Sequence, residues 1–175
     1  MGLLPKGVNL ARKAFYSFQY VPDNWRASQV RNMGIVEGNA AVSDNDWESV
    51  TKGGDDAIKQ WIVDQLNGKS CSIVLIGSGT AGRKWITYEI EKTWNAKKGV
   101  LGVYIHGLKD RNQKQASKGG NPFDYLTLGE KNEKKLSSVV KVYDPPYANS
   151  ENVYKYIKDN LSDWVETAIS IRNEN

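Results

Sequence analysis

Apolar residues follow two rhythms along this chain. Residues 71–76 (Cys-Ser-Ile-Val-Leu-Ile) and 99–105 (Gly-Val-Leu-Gly-Val-Tyr-Ile) are short, nearly continuous apolar runs, the pattern of strands buried on both faces. Elsewhere the period lengthens. Ile58, Trp61, Ile62 and Leu66 share one face of a helix predicted over 55–67 and stopped by Gly68. Ile86, Ile90 and Trp94, four apart, predict a second helix over 82–97. A stripe from Val153 through Ile157, Leu161 and Trp164 to Ile169 predicts a last helix capped by Ser150. The aromatic-rich stretch 13–20 reads as a first strand. Pro22-Asp23-Asn24 then marks a turn, with Asp23 or Asn24 capping a helix over 24–36. Residues 38–43 form a weak strand candidate, 44–54 a polar loop around Trp47, and 139–143 a fifth strand ended by Pro145-Pro146. Between them runs a long polar segment, 106–137, and loops of that length inside one domain are uncommon and often functional.

Strands alternating with helices predict a doubly wound α/β fold: a mainly parallel five-stranded sheet with helices on both faces and right-handed crossovers. Ligands in such folds sit beyond the carboxyl ends of the strands, near the switch in strand order. Four places qualify here: after Tyr20, Ser43, Ile76 and Ile105.

Composition narrows the chemistry. The 175 residues suit one domain spanning 1–175, with a core over about 12–170 and polar tails. One Cys and one His exclude an intrachain disulfide and a Cys/His zinc site, so no metal is expected. Carboxylates, hydroxyls, aromatic rings and backbone remain. The net charge of +4 is mild, and the densest basic run, 131–135, mixes signs, so no nucleic-acid surface is expected. No apolar run approaches the roughly 18 residues of a membrane span, and the N-terminus is too weak for a secretory signal. A soluble, cytoplasmic protein is the expectation.

The candidate site residues each carry a plain alternative. Gly77-Ser78-Gly79-Thr80-Ala81-Gly82 leaves a buried strand and opens a helix: a tight turn, or a turn that also touches a nucleotide. It follows the third predicted strand rather than the first, and no acidic residue ends the next strand, which argues against a dehydrogenase site. Glu89 stands at the edge of the Ile86-Ile90-Trp94 stripe, one turn after Trp85: a boundary Glu touching Lys92, or a partly desolvated carboxylate among aromatics. His106 ends a strand, as a hydrogen-bonded edge residue or a functional group. Trp47 is a small satellite cluster or a stacking surface.

Four segments resemble TIR domains, in particular the TIR-like proteins of the Thoeris anti-phage defence system. Phe15-Tyr16-Ser17-Phe18-Gln19-Tyr20 is similar to the TIR first-strand motif. Val74-Leu75-Ile76-Gly77-Ser78, followed by Arg83-Lys84-Trp85-Ile86-Thr87-Tyr88-Glu89-Ile90, resembles the third strand and helix, with a small residue, a Trp and a Glu four residues later. Asp44 with Trp47-Glu48 resembles the start of the BB loop, and Lys118-Gly119-Gly120-Asn121-Pro122-Phe123-Asp124 resembles a loop of the Thoeris-like branch.

The resemblance implies a flavodoxin-like, TIR-like fold and an enzyme that consumes NAD+ as substrate, with no resident cofactor. It makes Glu89 catalytic and carries over Phe18, Gln19, Asp44, Trp47, Ser78 and Trp85 as substrate-binding residues. Many TIR enzymes have a basic residue near the Gln19 position, and this sequence departs from that. The implied product is ADP-ribose or a cyclic isomer that signals to a separate effector protein. An unidentified phage trigger and self-assembly on activation are further implied partners. The competing expectation is a non-catalytic TIR-like adaptor, which would have no use for a carboxylate at Glu89.

Overall fold

Four parallel strands lie in the order β1-β2-β3-β6 in the computed structural model, which describes residues 11–39 and 44–175, with 44–47 by backbone alone. The strands are β1 (Ala14–Ser17), β2 (Cys71–Ile76), β3 (Gly99–Tyr104) and β6 (Val142–Tyr143). A separate antiparallel pair, β4 (Thr127–Leu128) and β5 (Lys134–Lys135), stands apart from the sheet. The helices are α1 (Tyr20–Arg31), α2 (Asp44–Lys52), α3 (Gly54–Leu66), α4 (Lys84–Asn95) and α5 (Ser150–Glu174). Five strands were expected in the sheet, and four pair there among the described residues. At the outer edge of β1, Glu37 makes an isolated parallel bridge to Lys13. Glu37 precedes the strand expected over 38–43; of that strand Gly38 and Asn39 pair with no neighbour as strand, and 40–43 lie outside the described residues.

Side-chain alternation on β2 explains why it is buried throughout. Cys71, Ile73 and Leu75 point to one face, where α1 and α5 cover them with Ala27, Val30, Ile157, Leu161 and Val165. Val74 and Ile76 point to the other, against Ile86, Ile90 and Trp94 of α4. Phe15 of β1 joins Ile58, Ile62 and Leu66 of α3 on that second side. Helices therefore cover both faces, as continuous apolar strands require. Burial leaves the lone thiol, Cys71, with no exposed surface and pushes it up to about 12.

Several segments differ from the sequence pattern. The first strand ends at Ser17 and α1 begins at Tyr20 after Gln19, so Pro22-Asp23-Asn24 lies inside the start of the helix, where Pro is tolerated, and Asp23 and Asn24 do not cap it. The expected polar loop at 44–54 is mostly helix: α2 runs to Lys52, Val50 packs on the Phe15 cluster, and Gly54 at φ +82° starts α3. Polar composition hid a helix whose apolar contact with the core, among the described side chains, is Val50. The 106–137 segment is folded rather than open. It holds a short 3-10 turn, Pro122–Tyr125, whose Phe123 is fully buried against the α4 side of the sheet. Arg26 of α1 pins its start, donating from Nε to Leu108 O at 2.8 Å and from Nη2 to Lys114 O at 2.9 Å. The last helix is capped by Asn149, whose Oδ1 accepts from Glu151 N and Asn152 N, rather than by Ser150.

The strand order places the switch point between β1 and β2. From β1 the chain crosses to Glu37 on one side and then returns to β2 on the other. The turn leaving β2 is squeezed at this point. A Cβ on Gly77 would stand 2.1 Å from the Asp23 carboxylate, and one on Gly119 would stand 2.4 Å from Gly77 O. Only glycines let these three segments approach so closely.

Candidate active site

A cleft of about 370 Å³ opens at this switch point, where doubly wound folds hold ligands. Its walls are largely apolar: Phe15 and Phe18 from β1 and its exit, Trp61 from α3, and Trp85 and Ile86 from α4. Phe15 and Trp61 meet edge-on at 6.4 Å. Trp85 meets Tyr88 edge-on at 5.8 Å, with Lys84 Nζ 4.6 Å from its ring centre. Phe18 stacks on Tyr20 at 6.3 Å, and the Arg31 guanidinium lies 5.3 Å from the Phe18 ring centre.

Glu89 reaches this cleft from α4, about one and a half turns past the helix start. Its neighbours Ile86 and Ile90 anchor the helix in the core, which turns position 89 inward beside β1. Only 7% of the residue is exposed. Ser17, the last residue of β1 and itself buried, donates its Oγ–H to Glu89 Oε2. The backbone below is fixed as well: Thr93 Oγ1 donates to Glu89 O at 2.7 Å and contacts Ser72 Oγ at 2.6 Å. Burial pushes the Glu89 carboxyl up to about 8, against the opposing pull of the Ser17 hydrogen bond. Among the described residues no cation lowers it. Lys92, the expected boundary partner, instead lies 5.4 Å from the centre of the Tyr88 ring.

Gln19 lies in the cleft wall beside Arg83. With its amide oriented to suit its neighbours, Gln19 Oε1 accepts from Arg83 Nη2 at 2.7 Å and Nε at 3.2 Å, and its Nε2 donates to Gly79 O at 3.2 Å. Tyr16 N donates to Asn39 Oδ1 at 2.8 Å, and its hydroxyl is buried without a partner among the described residues. Burial pushes that phenol up.

The structure thus brings Glu89, Phe18, Gln19 and Trp85 into one cleft. Ser78 stands apart: it is exposed in the β2–α4 turn, where Gly77 N donates to Thr80 Oγ1 at 2.8 Å, and it does not line the cleft. Asp44 begins α2 and Trp47 lies in its first turn, and their side chains fall outside the described set. His106 is also outside the cleft. It packs edge-on to Tyr104 at 5.7 Å, and burial lowers its pKa. Trp61, Arg31 and Arg83 line the cleft and Ser17 holds Glu89 from behind it, and the sequence alone did not single out any of the four. Trp61 was visible only as part of an amphipathic stripe, and Ser17 only as a letter in a strand motif. Among the described residues no group of three or more His, Cys, Asp or Glu could hold a metal, and no helix is long and apolar enough to cross a membrane.

A parallel α/β sheet with helices on both faces and a cleft at its switch point has the architecture of a TIR-like domain. Residues 15–110 match the family model described as "Thoeris protein ThsB, TIR-like domain", and the chain belongs to that family. It is also 39% identical over 122 residues to a Bacillus cereus (strain MSX-D12) protein named "Putative cyclic ADP-D-ribose synthase ThsB1". That alignment covers 67% of this chain and 64% of the relative's length.

Proposed function

We propose that this protein is an NAD+-consuming TIR enzyme of bacterial anti-phage defence. It cleaves the nicotinamide–ribose bond and joins the ADP-ribosyl group to itself as a cyclic ADP-ribose isomer, which signals to a separate effector. The observation that carries the reading is Glu89: a carboxylate buried at the switch-point cleft, held by one serine, with no cation against it among the described residues. Burying such a group costs stability, and a purely adhesive domain gains nothing in return.

The chemistry needs little else. When the C1′–N bond of NAD+ breaks, both electrons leave with the pyridinium nitrogen and nicotinamide departs neutral. No general acid is required, so one carboxylate can serve where glycoside hydrolysis normally uses two. The ribosyl group becomes oxocarbenium-like, and an adjacent carboxylate stabilises that positive charge. The cationic ring of the substrate also favours the ionised form of Glu89, which releases its proton to solvent on binding. Apolar walls limit water at the ribosyl carbon. A nucleophile elsewhere on the same molecule then competes with hydrolysis, as the name of the relative suggests for that protein.

The test is incubation of purified protein with NAD+ and an activating trigger, followed by mass spectrometry for nicotinamide, ADP-ribose and a product of cyclic ADP-ribose mass. Glu89→Gln should abolish all three while the circular dichroism spectrum stays unchanged. Full turnover by a folded Glu89→Gln protein would sink the reading.

A further inference from the structure

The cleft holds charges of both signs. Glu89 is the buried acid, and Arg31 and Arg83 both contribute to the lining. The two guanidiniums differ in setting. Arg31 is half-buried against Phe18, and burial lowers its pKa. Arg83 is exposed and stands directly before α4, on the rim between the β1 exit and the β2–α4 turn.

What holds Arg83 is unusual for a surface arginine. Its Nε donates to Gly79 O at 3.1 Å. The Gln19 carbonyl oxygen accepts from Nη2 and Nε, while the same carboxamide donates to Gly79 O. Among the described residues no carboxylate pairs with Arg83. Its neighbour Lys84 is tied to Asp55 at 2.5 Å. Neutral acceptors therefore fix the guanidinium plane and leave its charge uncompensated. Had Gln19 been a glutamate, the same contact would have neutralised the fork. Gly79 contributes by being small: a Cβ there would stand 2.9 Å from the Gln19 carboxamide and displace it.

A guanidinium that is oriented but not neutralised suits bidentate recognition of phosphate oxygens, because part of the ordering cost is met before the ligand arrives. We propose that Arg83, held by Gln19 and the Gly79 carbonyl, is the phosphate-binding group of the cleft and takes the pyrophosphate of the dinucleotide whose cationic ring lies near Glu89. This rests on the NAD+ reading above and adds to it. It predicts that the cleft distinguishes a dinucleotide from a nucleoside through one side chain. Gln19 is then a positioning residue, acting through Arg83.

Equilibrium binding tests this without turnover. In a Glu89→Gln background, titration calorimetry compares NAD+ with nicotinamide riboside, which has the cationic ring and ribose but no phosphate. Arg83→Gln should weaken NAD+ at least tenfold and leave nicotinamide riboside within twofold, and Arg83→Lys should recover part of the loss. Gln19→Glu, which keeps Arg83 but pairs it internally, should weaken NAD+ in the same selective way. The salt dependence of NAD+ binding should flatten in Arg83→Gln. Equal weakening of both ligands, or unchanged NAD+ affinity, would overturn the proposal and leave Arg83 as a cap on the turn. If the Glu89→Gln protein with Arg83 intact binds neither ligand, the NAD+ reading falls too, an outcome distinct from failure of Arg83 alone.

Discussion

Glu89 faces two opposing demands. The proposed chemistry needs the carboxylate, while burial favours the acid, with the midpoint at about 8. kcat/KM reports the free enzyme, so it should rise with pH across that midpoint and level off above it, measured by initial rates of nicotinamide release. The Ser17 hydrogen bond lowers the Glu89 pKa. Ser17→Ala should therefore move the rising limb to higher pH and lower kcat about tenfold, the scale of one hydrogen bond to a charged group. A purely structural serine would change the rate without moving the limb. Stability runs the other way. The folded protein holds a proton on Glu89 that the unfolded chain releases near pH 4.5, so stability falls as pH rises from about 4.5 to about 8. Glu89→Gln escapes that loss. It should be more stable than wild type by about 3 kcal/mol at pH 7, or roughly 6–12 °C in melting temperature, with the gap closing toward pH 4.5. At this scale the sequence was partly legible. Spacing stacked Trp85 beside Glu89 on one helix face, but only the resemblance to TIR domains joined that pair to Phe18 and Gln19 at the end of the first strand. That Ser17 reaches Glu89, or Gln19 reaches Arg83, depends on pairing across 72 and 64 positions of chain, and no local pattern records that.

Elements differed in how openly the sequence declared them. β2, β3, α3, α4 and α5 announce themselves because each buries a continuous face, and burial imposes a period. α2 is nine mostly polar residues whose apolar positions are Trp47 and Val50, three apart, and two positions are too few to establish a period. β6 pairs through two residues only, Gly102 with Val142 and Val103 with Tyr143, and a two-residue strand has no period. The 106–137 segment is held by single anchors rather than by a face. Phe123 is the main one: its ring sits where a side chain on Gly102 would be, 2.9 Å from that Cβ position. Phe123→Ala should cost about 3–5 kcal/mol, read as a lower urea midpoint, because the cavity would open beneath a segment tethered elsewhere by hydrogen bonds.

At the scale of the whole molecule, the doubly wound topology explains why one cleft collects residues from β1, α1, α3 and α4. The crossover leaving β1 runs to one side and the crossover leaving β2 to the other, which opens a gap that neither covers, and the ends of both strands look into it. The same topology puts β2 at the centre, where opening it requires the sheet to come apart. Cys71 is the first residue of β2, fully buried and the only thiol in the chain. That makes it a built-in clock. A thiol-alkylating reagent reaches it only when the central strand is exposed, so the labelling rate in native buffer counts global openings. At pH 8 the Glu89→Gln protein should label more slowly than wild type by roughly a hundredfold or more, as a gain of about 3 kcal/mol requires, and Phe123→Ala faster. One sulfur atom would then report, without added dye or tag, how much cohesion the protein gives up to keep its acid indoors.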